Sequence, residues 1–357
     1  MYVTPRPRRE DDPYHAVRLG LAVACGFIAI AWWQPTMPAL LVALPLALIA
    51  SQRKAFNPVR AIGGPIGFMA SVYIVAYLVA ATREAPAIAM TIIFAIFFLA
   101  FYVIRRTGSP AGMLALVAAA LMSIGGAQSG PMLVTIRNAM IEAGMLALIL
   151  SPLLALIVPA AARERHVNPR ITAPGHYGVA SAIRAFVLLC LCLWLYTVLS
   201  LQDMVLAIAA IFPLVFPTRH EAFAEAAERI AATVFGAIAA AIILVIFAHT
   251  AHFVVLVGLV FLCGLYFGEK MIEGKRSASV YQFSLSVAVV LVATSLSTAA
   301  PGYAATMRIV LTVLGAIGAS LAVAVLDAIF LRVRTDIGDY SPHPAIQRRR
   351  FGHELVD

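Results

Sequence analysis

Charge is scarce in this chain. Only 12% of its 357 residues are Asp, Glu, Lys or Arg, 62% are hydrophobic, and the mean hydropathy is +0.94. A soluble domain carries about 25% charged and about 45–50% apolar residues, so a water-exposed globule is excluded. Cysteine is sparse as well: Cys25, Cys190, Cys192 and Cys263 all fall in apolar runs, and 190 and 192 lie on different faces of a helix. That placement argues against a disulfide framework and against a zinc site. No HExxH or GxSxG pattern occurs, and Gly274-Lys275-Arg276-Ser277 lacks the upstream glycine of a phosphate loop. The sequence therefore points to no enzyme, no ATP-driven motor, no cofactor and no metal.

What is abundant is the apolar run of about 15 to 23 residues, a length that suits helices crossing roughly 30 Å of hydrocarbon and not barrel strands of about 10 residues. Twelve such spans are expected, at 18–33, 36–51, 61–82, 87–104, 111–125, 136–160, 183–200, 203–217, 229–248, 252–268, 281–299 and 308–330. The N-terminal stretch mixes basic residues with Glu10, Asp11 and Asp12 and shows no small-residue cleavage pattern, so the first span is expected to remain. The longest internal polar break holds Pro169, Pro174 and Gly175 and divides the spans six and six. The expected organisation is a first repeat with its cytoplasmic tail at 1–162, a cytoplasmic linker at 163–182, a second repeat at 183–335 and a cytoplasmic tail at 336–357. The segment 218–229 starts with Thr218 and Glu221 at capping-box spacing and reads as a short separate helix.

Basic residues orient this plan. Of 26 Lys and Arg, all but Arg83, Arg137 and Arg308 fall on the N-terminal side or in every second loop. Basic residues resist translocation, which puts both termini in the cytoplasm of a cell whose inner (plasma) membrane this chain crosses many times. The net charge of +9 has the same origin and gives no support to nucleic-acid binding.

The two sets of six also share residues. Arg18 corresponds to Arg184 at an offset of 166, Gln34 to Gln202 and Pro45 to Pro213 at 168, Arg60 to Arg229 at 169, Arg106 to Arg276 at 170, and Arg137 to Arg308 and Gly144 to Gly315 at 171. An even number of spans per copy starts both on the same side, so the fold class expected is all-α, about 12 transmembrane helices as two parallel six-helix repeats. A duplicated bundle leaves a solute site between its copies. That arrangement points to a transporter.

The Arg-led first span of each half, the Pro of the second, the Arg-led third (VRAIGGPIGFMAS and ERIAATVFGAIAA) and the Arg-to-Gly spacing of the sixth resemble the fusaric acid resistance or aromatic acid exporter family, also called FUSC-like. The resemblance covers 15–335 and looks like a short bacterial branch without the family's large cytosolic domain. It implies export of small, often aromatic, organic acids or toxic compounds, commonly alongside a periplasmic adaptor of the membrane-fusion type. Expected partners are thus a small organic anion, membrane lipids, such an adaptor at the short outward turns, and a second copy of the chain if it is a homo-oligomer.

Candidate substrate positions come from interrupted helices at matching places, because a broken helix exposes backbone groups that bind a solute where protein or water surrounds them. Ser123 to Pro131 (SIGGAQSGP) and Thr294 to Gly302 (TSLSTAAPG) form such a pair, each followed by an arginine. Arg137 and Arg308 would attract the anion at the outward mouth, with hydrogen bonds from Gln128, Ser129, Asn138, Ser295 and Ser297. An ordinary outward loop with an interfacial arginine is the plainer alternative. Glu142 is the candidate proton carrier, since an acid within a span costs about 2.5–3.5 kcal/mol to insert and such groups form proton relays. Val313 stands at its matching position, and a structural hydrogen bond is the competing role. Gly63 with Gly67, Gly264 with Gly268, and Gly236 with Ala240 have the spacing that brings helices close. An anion channel of similar architecture, or an intramembrane scaffold or enzyme, is the alternative to a proton-coupled exporter.

Overall fold

The computed structural model describes residues 12–50, 56–107, 111–160, 177–198, 219–296 and positions 318, 321–322 and 325–326. Among the described residues there are ten helices and no strand: α1 (His15–Trp33), α2 (Pro38–Ala50), α3 (Pro58–Thr82), α4 (Pro86–Thr107), α5 (Ala111–Gln128), α6 (Gly130–Ile157), α7 (Tyr177–Val198), α8 (Arg219–Thr250), α9 (Phe253–Glu273) and α10 (Ala278–Ser295). All but α2 and α5 are long and apolar enough to cross a membrane. At 1.5 Å per residue, the 13 residues of α2 span only about 20 Å. The chain is an all-helical, multi-pass membrane protein.

Local chemistry sets the helix ends. Proline opens α2, α3 and α4, where its missing N–H costs nothing because the first amides of a helix have no partner inside it. Helix α1 stops where Gln34 turns left-handed (φ 46°) and donates its N–H back to Ile30 O at 2.9 Å. Trp32 at that end is 90% exposed, suiting the headgroup level that indole rings favour. Ala251 (φ 53°) ends α8 in the same way.

Between helices in lipid there is little hydrophobic drive, so close approach of small residues carries the packing. Helices α1 and α9 meet at glycine: a Cβ on Gly264 would lie 2.7 Å from Gly20 Cα, and one on Gly268 2.7 Å from Ala16 Cα. Helices α8 and α10 meet at Gly236, where a Cβ would stand 2.5 Å from Ser284 O, with buried Ala240 one turn on. The Gly264/Gly268 and Gly236/Ala240 expectations hold. Gly63 and Gly67 differ: nothing lies within 4 Å of their Cβ positions, and their face of α3 points outward with Ile62, Ile66, Tyr73 and Tyr77.

The other principal pairs are α3 with α6 and α5, α4 with α7 and α5, α2 with α6, α10 and α1, and α9 with α10. One buried cluster gathers Phe68, Phe97, Phe101, Leu116 and Leu188, and a second gathers Leu19, Phe27, Leu46, Leu256 and Leu285. Each draws on helices from both sides of the central break.

Several boundaries differ from expectation: α7 starts at Tyr177, six residues before the expected 183 and within the expected linker, α9 runs on to Glu273, past the expected 268, and two further differences have a plain local cause. The short helix expected at 218–229 is the first part of α8, a continuous helix of 32 residues and about 48 Å, because nothing between Arg219 and Gly236 breaks an alanine-rich helical stretch. Helix α6 begins at Gly130 instead of 136, since Pro131 fits the first turn of a helix as well as it fits a loop. The spans expected at 203–217 and 308–330 lie outside the described residues, apart from helical positions 318, 321–322 and 325–326.

Candidate functional site

The interruption expected between Ser123 and Pro131 narrows to one residue. Helix α5 runs to Gln128 and α6 starts at Gly130, with Ser129 alone between them in extended geometry (φ −165°, ψ 159°). The turn closes because Gly125 and Gly126 have no side chains: Cβ atoms there would press on Ile136 of α6 and Val79 of α3. The Ser129 hydroxyl accepts from the Met132 N–H at 3.2 Å, so it serves first as the N-cap of α6. Gln128 is half-buried beside it.

A cation that the sequence reading left out stands at this turn. A Cβ on Gly130 would lie 2.8 Å from Arg83 Nη1, so the guanidinium of the residue after α3 rests against the start of α6. A helix N-terminus already carries positive partial charge, and a guanidinium there raises the local potential further. The arrangement favours an anion. Only the proximity of α3 and α6 in space reveals it, because Arg83 and Gly130 are 47 positions apart.

Two turns down α6, half-buried Arg137 donates from Nε (3.2 Å) and Nη2 (3.0 Å) to Asn138 Oδ1, and its guanidinium lies 5.7 Å from the ring centre of Tyr73 on α3. The structure thus brings Arg137 and Asn138 together and adds a cation–π partner. Glu142 is half-buried, and its Oε2 is buried with no hydrogen-bond partner among the described residues. A carboxylate oxygen without a donor is costly to bury, which does not suit a permanent structural bond. Neither Arg137 nor Asn138 bonds it in the described contacts.

In the second half, α10 ends at Ser295, whose Oγ is likewise buried without a partner, while Thr294 returns its hydroxyl to Val290 O at 2.9 Å. Ser297 and Arg308 lie outside the described residues, as does Pro213. Helix α2 touches both α6 and α10, and buried Pro45 sits within it. A proline removes one backbone hydrogen bond and loosens the helix between the two candidate groups.

Charged clusters gather elsewhere as well. Asp12, His15 and Arg18 are buried together at the start of α1, where Arg18 Nη2 pairs with Asp12 Oδ2. Arg184, expected from the sequence to correspond to Arg18, is fully buried and donates from Nη1 to Ala180 O at 2.9 Å. Glu228 on α8 accepts from Ser277 Oγ (2.7 Å) and Ser279 Oγ (2.8 Å), tying α8 to the start of α10. His249 Nδ1 lies 2.8 Å from Val245 O, a local contact at the end of its helix. Among the described residues no group of three or more His, Cys, Asp or Glu is placed to hold a metal ion.

Residues 174–322 match the family described as fusaric acid resistance protein-like. No curated protein and no solved structure gives a match. The resemblance read from the sequence therefore stands on a family match across most of the second half, and residues 1–173 lie outside it.

Proposed function

We propose that this chain is an efflux transporter of a bacterial inner membrane that exports small organic acids, aromatic ones above all, or toxic compounds, by a proton-coupled route. The family match and the eight long apolar helices support the general class, a membrane transporter or resistance protein. The observation that carries the finer reading is a reciprocity in packing. Counting the span expected at 203–217, α8, α9 and α10 are the third, fourth and fifth members of a second set of six. The first member of each set then packs on the fourth of the other: α1 on α9, and α7 on α4. Within each set the third packs on the fifth and the fourth on the fifth: α3 and α4 on α5, α8 and α9 on α10. Such exchange supports two parallel six-helix repeats, 1–162 and 183–335, joined by a cytoplasmic linker and related by an axis along the membrane normal.

Under this reading the cargo sits at the outward ends of α5, α6 and α10. Arg83, Arg137 and Arg308 supply positive charge there, and Gln128, Asn138, Ser295 and Ser297 supply hydrogen bonds. Glu142, one helix turn beyond Asn138, takes a proton from outside and releases it inside. Both termini face the cytoplasm, and the outward turns are where a periplasmic adaptor of the membrane-fusion type would dock.

Counterflow of labelled benzoate in proteoliposomes tests the reading. Internal unlabelled benzoate is expected to accelerate uptake, a pH gradient to drive net flux, and Glu142→Gln to keep counterflow while losing the response to the gradient. Flux without acceleration by internal substrate would assign a channel instead, and no flux of any organic acid would remove the transport reading.

A further inference from the structure

We propose that Arg18 is a carboxylate-binding position at the cytoplasmic end of α1, and that Asp12 occupies it in this structure as a tethered stand-in for the cargo. The inference rests on the export reading and adds to it the group that first meets the acid on the inner side. Arg18 lies one turn into α1 at 7% exposure, and its partner comes from outside the helix: Asp12, six residues earlier and 1% exposed, bonds Nη2 through Oδ2. The second acceptor of the guanidinium is the carbonyl of Val158 at the end of α6, at a long 3.4 Å.

Three features separate this pair from a permanent structural bridge. Asp12 Oδ1 is buried with no hydrogen-bond partner among the described residues, whereas lasting buried ion pairs are stabilising only when both oxygens are satisfied. Arginine presents a fork that matches both oxygens of a carboxylate at once, and the tethered side chain reaches it with one oxygen; a free carboxylate can turn to accept both bonds. The counterpart Arg184 is buried just as deeply, yet Gly178 stands six residues before it, so the acid is peculiar to one half. His15, 1% exposed, sets Nδ1 3.8 Å from the same Asp12 oxygen, and beside it Ala16 packs closely on Gly268.

The tether makes a threshold. A carboxylate joined to its partner through a few residues, as Asp12 is through Pro13, Tyr14 and the first turn of α1, acts at an effective concentration of about millimolar order or above, so free acid displaces it only when the cytoplasmic level becomes comparable. Arg18 is released to cargo when acid accumulates and is occupied by Asp12 otherwise.

The experiment compares thermal melting of the purified full chain and its Asp12→Ala variant in sodium benzoate, sodium acetate and sodium chloride at equal ionic strength. Asp12→Ala is expected to melt lower than the parent, and millimolar benzoate or acetate, but not chloride, to restore most of the loss. The restoration is expected to vanish in Asp12→Ala with Arg18→Gln. Benzoate acting no better than chloride on Asp12→Ala, or restoring the double variant equally, would overturn the proposal. Should Asp12→Ala fail to fold, Asp12→Asn keeps the side-chain shape without its charge and carries the same comparison. Restoration in a chain that moves no organic acid in proteoliposomes would leave the Arg18 position standing and remove the export reading; flux without restoration would do the reverse.

Discussion

Ser129 shows how folding can engage a hydroxyl that the sequence alone offers to a substrate. It was expected as a substrate ligand and is found accepting the Met132 N–H as the cap of α6. Replacing such a cap by alanine costs about 1 kcal/mol. Ser129→Ala is therefore expected to lower the melting temperature while leaving the apparent affinity for benzoate within about twofold, whereas Arg83→Gln is expected to weaken that affinity without loss of stability. Melting curves and flux titrations on the same preparations check both; an affinity loss in Ser129→Ala as large as in Arg83→Gln would return the hydroxyl to the binding site. Glu142 was legible because an acid in an apolar run stands out, and its buried Oε2, without a partner among the described residues, keeps it a candidate. Arg83 and Asp12 were not legible in these roles. Arg83 reads as an ordinary loop cation and Asp12 as part of a polar tail, and only folding brings them against Gly130 and Arg18.

At the scale of the helix, the glycines divide into those that touch and those that do not. Gly236 and Gly264 sit where a Cβ would press on another helix's backbone, which cannot yield as a flexible side chain can, while Gly67 faces open space. Gly236→Val or Gly264→Val is expected to cost about 1–3 kcal/mol through forced separation of the helices, and Gly67→Val to cost less than about 0.5 kcal/mol. Expression level and melting temperature of the three variants test this; equal losses at all three positions would mean that α3 is covered where it is now open. Sequence periodicity located these helices because an apolar run of that length has few other solutions in lipid. It placed their ends less well. Proline at 131 fits a loop or a first helical turn equally, and the alanine-rich stretch before Ile230 gives no stop signal, so α6 and α8 both proved longer than read.

Considered as a whole, the molecule is held together by helices that cross between its halves. Helices α1 and α9 join across the central break, as do α4 and α7, and α2 and α10. Fragments ending at residue 162 and starting at 163, co-expressed in one membrane with a tag on one of them, are expected to co-purify and to restore benzoate flux. Fragments that insert singly but never associate would show that the linker, and not the crossed packing, holds the halves. The correspondence proposed between the halves rests on scattered Arg, Pro and Gly matches along the sequence, residues that have few substitutes at membrane depth. The manner of their exchange was not, since residue spacing along a chain carries no record of which copy a helix will lean on.

The single residue between α5 and α6 has a mechanical consequence. With Ser129 alone joining them and Gly125 against Ile136, the two helices have little slack and would tilt together. Helix α6 is 28 residues and about 42 Å long, so a rotation of about 5° at the turn swings its far end by about 4 Å. That far end is Val158, which Arg18 holds by its carbonyl. A lever of this length would carry a small displacement at the Ser129 turn to the opposite end of α6, where Arg18 grips it.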